Sequence, residues 1–406
     1  MTQQDDIEGG PFLGTRQAVQ REGSGRAHPS SGEAAALFAP AARVVEEEAA
    51  ARDADGAFPA ASFRALHAAG VLTASLPQAL GGLDVRSLAL LALLRRVGRA
   101  SLPVGRMFEG HLNALHLVCR YGTPGQARRA AQDAHAGELF GVWNTEDGPG
   151  LRLVAGDGGA LTLTGGKTFA SGLGHVTRPL LPAEGEAGRV MVLLPAERVP
   201  GAADLTFWQP LGMRATVSGR VDYTGAAVEA GDLIGAPGDY YRQPDFGGGA
   251  LRFLAVQLGG ADAVVAAARD VLRPLGRASD DVQRLRFAEV AARLEAAWQV
   301  TLQAQRRLDA WPQDADAAPL DPAPLLAYVA LARTVTEDAC LLACEAAERA
   351  VGARGLLAPC PAERLLRDLR MYLRQPAPDA ARLAVGAWVL DAPDRPVEAW
   401  DPWEAE

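Results

Sequence analysis

The residues best suited to chemistry cluster in the stretch 140–171, where two short segments carry hydroxyls at their ends. Phe140-Gly-Val-Trp-Asn-Thr-Glu146 contains Thr145, and Gly165-Gly-Lys-Thr-Phe-Ala-Ser171 ends in Ser171. Alternation and β-branched residues argue for strands here, separated by a turn at Gly156-Asp-Gly-Gly159 and a further strand pattern, Leu161-Thr-Leu-Thr164. A sheet inserted between helical blocks makes a cleft in which the two hydroxyls would meet. Acid–base capacity near neutral pH is offered by His111, with His116 five residues on, and by His175 at the expected cleft rim. His67 and His135 read as surface residues. Each candidate also has a plain alternative: strand-end hydroxyls cap turns, and His111 fits an ordinary helix histidine.

The elements that must position these residues follow from composition and periodicity. With 406 residues, 49% of them hydrophobic, the chain can bury cores for two or three layers or domains. A net charge of −9 argues against nucleic acid or an anionic membrane as the main partner. Nearly all basic residues are arginine, a compositional bias, and Lys167 in the central stretch is the only lysine. Cys119, Cys340, Cys344 and Cys360 have neither metal-finger nor disulfide-framework spacing, so no metal and a reducing cytoplasm are expected. No run approaches the roughly 18 apolar residues of a membrane span. Residues 1–32 are polar, without the apolar core of a signal peptide, and read as a disordered tail or as the product of a start placed too early.

Residues 33–137 form a helical block, with helices expected over 34–51, 59–69, 87–99, 104–121 and 125–136. Glu46-Glu47-Glu48 reads as a solvated face, and Gly70 suits a C-cap. Residues 138–246 change period and form a small β domain, with strands over 139–143, 161–163, 190–194 and 219–228. Residues 247–392 return to helix, over 251–272, 282–308, 324–351 and 362–390, enough for a four-helix bundle with a loop at 309–322. Residues 393–406 are a C-terminal tail. The expected class is α+β: helical, then sheet, then helical.

Five motifs in this order resemble the acyl-CoA dehydrogenase superfamily over about residues 35–390. They are Leu76-Pro with Gly81-Gly82, Trp143-Asn-Thr-Glu146, Gly166-Lys-Thr-Phe-Ala-Ser-Gly172, Gly212-Met-Arg-Ala-Thr-Val-Ser218 with Val221-Asp-Tyr223 and Leu233-Ile-Gly235, and Val351-Gly-Ala-Arg-Gly355 before Arg364-Leu-Leu-Arg-Asp-Leu-Arg370. The resemblance implies a flavin, FAD with FMN as the alternative, between the β domain and the bundle of a homodimer or homotetramer. It implies a small-molecule substrate and, as redox partner, an electron-transfer flavoprotein or a flavin reductase. Matched by motif, the flavin-binding set is Trp143, Asn144, Thr145, Phe169, Ala170 and Ser171, with Thr145 at the pyrimidine edge, Phe169 on the ring and Ser171 near N5. Gly352, Arg354 and Gly355 match a segment that approaches the diphosphate from a neighbouring subunit. Two departures stand out: Asp147-Gly-Pro-Gly150 replaces a usual Gly-Ser-Asp, and Arg349 replaces a glutamine.

The resemblance puts α,β-desaturation of an acyl-CoA or related thioester first, and that reaction needs a carboxylate to take the α-proton. The position of the usual glutamate is Gln375, and the alternative position on the first bundle helix is Leu251. Asp379 is the nearest substitute. The missing base shifts weight toward a second branch, flavin-dependent monooxygenases similar to the dibenzothiophene enzyme, which accept reduced flavin from a separate reductase. Toward that branch His111 matches a proton-handling histidine and Ser171 a serine near the oxygen chemistry, while Gln375 replaces a second histidine. A third outcome is a catalytically degenerate binding subunit.

Overall fold

The computed structural model describes residues 27–201, 203–312 and 320–391. Helices α1 (Ser31–Leu37), α2 (Ala39–Asp55), α3 (Ala60–Ala68), α4 (Ser87–Ala100), α5 (Leu102–Tyr121) and α6 (Pro124–His135) come first. A nine-stranded sheet follows: β1 (Phe140–Val142), β2 (Glu146–Ala155), β3 (Leu161–Ala170), β4 (Arg178–Gly185), β5 (Gly188–Leu193), β6 (Ala203–Asp204), β7 (Gly219–Asp222), β8 (Ala227–Val228) and β9 (Leu233–Ile234). Helices α7 (Asp245–Gly248), α8 (Ala250–Leu272), α9 (Asp281–Asp309), α10 (Ala323–Val351), α11 (Pro361–Tyr372) and α12 (Pro378–Leu390) complete the chain. The sheet runs β6-β7-β3-β2-β4-β5-β9, with β1 parallel to β4 and β8 antiparallel to β3. The expected order of helical, sheet and helical blocks is the observed one.

Several local expectations need correction. Residues 1–26 and the tail 393–406 lie outside the described residues, but 27–32 are ordered, and α1 starts inside the expected tail. Its cap explains why: Ser30 accepts from Glu33 N while Glu33 accepts from Ser30 N. The first helix divides at Phe38, because Pro40 enters the first turn of α2, where a missing N–H is harmless. Glu48 is no idle surface charge; it accepts from Ala61 N, Ser62 N and Ser62 Oγ, capping α3 from another helix. Strands β2 and β4 are additions to the expected set; they run through Gly148-Pro-Gly150 and through Pro179 and Pro182, residue types that seldom sit inside a strand. The final helix is broken into α11 and α12 at Gln375-Pro-Ala-Pro378, where Ala377 takes a φ of 42°.

Helix α8 is the axis on which the blocks meet. It is apolar almost all round: the 28-residue stretch Asp245–Leu272 contains an 18-residue window of mean hydropathy 1.4, long and apolar enough for a membrane span, yet 72% of that window is buried inside the protein. Helix α4 reaches it at backbone distance through glycines, and α5 lays a side chain on a third glycine. A Cβ on Gly98 would meet Val256 O, one on Gly259 would meet Arg95 O, and one on Gly260 would meet Leu102 Cδ2 at 2.6 Å. Arg95 then clamps the crossing, bonding both carboxylate oxygens of Asp262 at 2.8 and 2.9 Å and standing 4.6 Å from the Trp298 ring centroid. On the other side α11 holds the sheet. Asp368 accepts from Met213 N at 2.6 Å, and Arg367 bridges Asp53 at 2.6 Å and Leu211 O at 2.9 Å.

The α4–α8 crossing has no room for a methyl group. Gly259→Ala is expected to destabilise the chain by about 1–3 kcal/mol, as overpacking does. Urea unfolding checks it, and an unchanged midpoint would show that the helices separate without penalty.

Candidate active site

A cleft of about 510 Å³ opens where the three blocks meet. One wall is α5, whose Arg106, Glu109, Asn113 and His116 are spaced three, four and three residues apart and so share a helix face. Helix α8 adds Arg252 and Phe253, α10 adds Arg333, and the α11–α12 junction adds Tyr372, Arg374 and Gln375. Opposite them the sheet presents Val142, Asn144, Thr145 and Phe169.

The sheet aims Phe169 outward by a bulge. Pairing of β3 with β7 slips between Lys167 and Ala170, and Phe169 takes a φ of 52°. That left-handed backbone costs a non-glycine residue of order 1–3 kcal/mol, a strain typical of functional positions. The ring is 39% exposed, and Phe207 and Trp208 brace it edge-on at centroid distances of 5.2 and 6.2 Å. Behind it the only lysine, Lys167, is fully buried. Its Nζ lies 2.8 Å from Glu146 and donates to Asn144 O at 3.3 Å, pinning the segment that carries Thr145. Burial lowers the Lys167 pKa, and Glu146 opposes that shift.

Of the motif-matched residues, Asn144, Thr145 and Phe169 line the cleft together. Trp143 is buried and donates through Nε1 to Ser171 O at 3.0 Å, so it supports rather than faces the cleft. Ala170 is fully buried and presents no side chain there. Ser171 lies outside the lining. Its hydroxyl pairs with Ser218 at 2.9 Å, Ser218 with Thr216 at 2.9 Å, and Thr216 donates to Met213 O at 2.9 Å. That last bond orients the chain: Thr216 must accept from Ser218, and Ser218 from Ser171, leaving Ser171 an acceptor.

His111 is a correction. It is 1% exposed, donates through Nε2 to Leu72 O at 2.8 Å and accepts at Nδ1 from Phe140 N at 3.1 Å. Both nitrogens are occupied by backbone, in the core between α5 and β1. The histidine on the cleft is His116. Five residues along a helix amount to a rotation of about 140°, so the two cannot share a face. His175 is not at the rim either; it stacks on Phe58 at 4.0 Å.

The proton-acceptor positions are equally informative. Gln375 lines the cleft, Leu251 is fully buried in the core, and Asp379 is exposed at the start of α12, outside the lining. Pro376 and Pro378 turn the chain away before Asp379 can enter. Two carboxylates were missed, and both are engaged. Glu109 is bonded by Arg106 at 2.7 Å and by Asn113, and Asp245 by Arg120 at 3.1 Å and the Tyr121 hydroxyl at 3.0 Å. Polar residues recurring on one face of the otherwise apolar α5 were the available signal. Gly352 and Arg354 are exposed at the far end of α10. At 1.5 Å per residue they lie roughly 28 Å along that helix from Arg333, so within one chain Gly352, Arg354 and Gly355 do not join this cleft. All four cysteines are free, and no group of potential metal ligands occurs among the described residues.

The family models "Acyl-CoA dehydrogenase, N-terminal domain" and "Acyl-CoA dehydrogenase, C-terminal domain" match residues 33–138 and 251–374, together more than half of the chain. The chain belongs to the acyl-CoA dehydrogenase family. It is 30% identical over 270 residues to the amino sugar nitrososynthase DnmZ of Streptomyces peucetius, covering 62% of this chain and 66% of that protein. It is 25% identical over 311 residues to the mitochondrial isobutyryl-CoA dehydrogenase of Dictyostelium discoideum, 72% of each. Its fold matches the dibenzothiophene monooxygenase TdsC of Paenibacillus sp. A11-2, solved with FMN and indole, with a TM-score of 0.79 and 22% identity over 88% of this chain and 97% of that one.

A buried neutral histidine makes stability pH-dependent. Burial drives the His111 pKa down from 6.5 to about 4, against the opposing bond to Leu72. Between those values the unfolded chain takes up a proton that the folded chain refuses, so stability falls as pH drops through that window, by about 3 kcal/mol in all. His111→Gln keeps a donor and an acceptor without the charge, and its urea midpoint is expected to fall less on acidification than the parent's. Parallel pH profiles would contradict a neutral His111.

Proposed function

We propose that this chain is a two-component flavin-dependent monooxygenase that receives reduced flavin from a separate reductase and oxygenates a small molecule in the cleft. The observation that carries this reading is that, among the described residues, the cleft holds no carboxylate free of an arginine for α-proton abstraction. Gln375 and Leu251 occupy the two family positions, and Glu109 and Asp245 are held by arginines. A desaturase without a base has no route for the proton; an oxygenase needs none there. The relatives include both branches, the nitrososynthase and the dibenzothiophene monooxygenase on one side and the isobutyryl-CoA dehydrogenase on the other, so the reading rests on the cleft.

The residues present fit a flavin. The cleft volume falls within the roughly 300–1,000 Å³ of small-molecule sites, and the braced, exposed Phe169 offers a flat apolar partner beside the hydrogen-bonding Thr145 and Asn144. When bound in reduced form, FAD or FMN would supply the electrons that activate O2. Thr145 and Phe169 would hold the ring system. Ser171, its own proton committed to Ser218, would offer only a lone pair. His116 is the imidazole placed to exchange a proton with substrate. Gly352, Arg354 and Gly355 of another copy would meet the phosphate end, which requires a homodimer or homotetramer. Exposed Val282 and Leu285 on α9 and Leu383 and Leu390 on α12 are apolar surface consistent with such packing. Free cysteines suit a reducing cytoplasm.

Two measurements test this. The protein should bind reduced FMN or FAD and alter its reoxidation rate in air, whereas anaerobic mixing with a panel of acyl-CoAs should leave the oxidised flavin band unbleached. Bleaching by any acyl-CoA would restore the desaturase reading, and failure to bind either flavin would remove both. Phe169→Ala should weaken flavin binding about tenfold, or about 1.4 kcal/mol, in a fluorescence titration.

A further inference from the structure

Four arginines line the cleft: Arg106, Arg252, Arg333 and Arg374. In a chain of net charge −9 their partners decide what they are for. Arg106 is paired with Glu109, and Arg374 with Glu337. The remaining cleft carboxylate, Asp245, is paired with Arg120. Arg252 and Arg333 have no ion pair among the described residues. Arg252 donates through Nε to Asn113, which is itself anchored on Glu109, so its guanidinium is oriented while its two terminal nitrogens have no acceptor among the described residues. Arg333 donates through one terminal nitrogen to the carbonyls of Pro376 and Ala377 and stands 5.8 Å from the Phe253 ring centroid. Burial depresses the pKa of both; the nearby charges of Glu109 and Asp245 at Arg252, and of Glu337 at Arg333, oppose that shift without reversing it. A third group on the same wall is also unsatisfied: Tyr372 is 3% exposed, and its hydroxyl has no hydrogen-bond partner.

Two oriented cations without a bonded carboxylate and a buried hydroxyl without a partner, all lining one cleft, leave donors open to a ligand. We propose that the molecule oxygenated here carries an oxyanion, a carboxylate or a phosphate, received by the fork of Arg252 with Arg333 as the second cation and Tyr372 as a neutral donor. Guanidinium suits this role because its paired N–H groups match two oxygens of one anion. Glu109 then acts as a positioning residue: it anchors Asn113, and Asn113 holds Arg252. This rests on the oxygenase reading of the same cleft and adds the class of substrate.

The test is calorimetric titration of the full chain, with and without FMN, using acetate, succinate and benzoate, each against its neutral amide, and inorganic phosphate. At least one of the four anions should bind, any carboxylate that does so at least tenfold more tightly than its amide. Arg252→Met should remove that preference while leaving FMN affinity and the melting temperature unchanged, and Arg252→Lys should restore part of it. Binding of none of the anions, equal binding of acid and amide, or an unaltered preference in Arg252→Met would overturn the proposal. If Arg252→Met instead weakens FMN binding and phosphate competes with FMN, the arginines serve the cofactor's phosphate, which also overturns it. Neither oxygen nor turnover enters the titration, so failure here leaves the oxygenase reading standing, and failure of that reading leaves the anion measurement intact.

Discussion

The backbone-close crossing of α4 on α8 is the constraint on which the rest of this structure depends. Gly98 and Gly259 let α4 and α8 approach backbone to backbone, and Gly260 makes room for the Leu102 side chain of α5. The Arg95–Asp262 pair then fixes their angle. Because α8 is gripped over its middle, its first turns project Arg252 and Phe253 toward α5 and the sheet. The cleft is what remains between three blocks that are tied elsewhere.

The sheet contributes a strained edge rather than a flat face. A bulge rotates Phe169 out of the strand, and the buried Lys167–Glu146 pair keeps the neighbouring strand from relaxing toward it. A buried ion pair is a poor source of net stability but a good source of geometric definition, because breaking it strands a charge. One lysine in the whole chain is spent on that definition.

Charge accounting separates structural from ligand-directed arginines. The sequence is rich in arginine for compositional reasons, and most of those near the cleft have carboxylate partners. Arg252 and Arg333 are exceptions, and they stand on the wall formed by the bundle, across from the Phe169 side. The cleft's own carboxylates, Glu109 and Asp245, each neutralise an arginine. A single arrangement thus bears on both the reaction and the substrate.

The sequence alone determined the order of the three blocks, most of the helices and the segment that carries Asn144, Thr145 and Phe169. Periodicity and motif order are local properties, and these features depend on little else. It also put a glutamine, Gln375, where the resemblance expects a glutamate, because a residue type at a motif position is visible without coordinates. Tertiary structure decided which face each residue shows. It buried His111 and turned His116 to the cleft, ran β2 and β4 through glycines and prolines, and broke the last helix so that Asp379 stayed outside. It alone revealed that Glu109 and Asp245 are paired while Arg252 and Arg333 are not. The Arg106–Glu109 spacing is local, but Arg120 with Asp245 and Asn113 with Arg252 join residues more than a hundred positions apart, and no local pattern records those contacts.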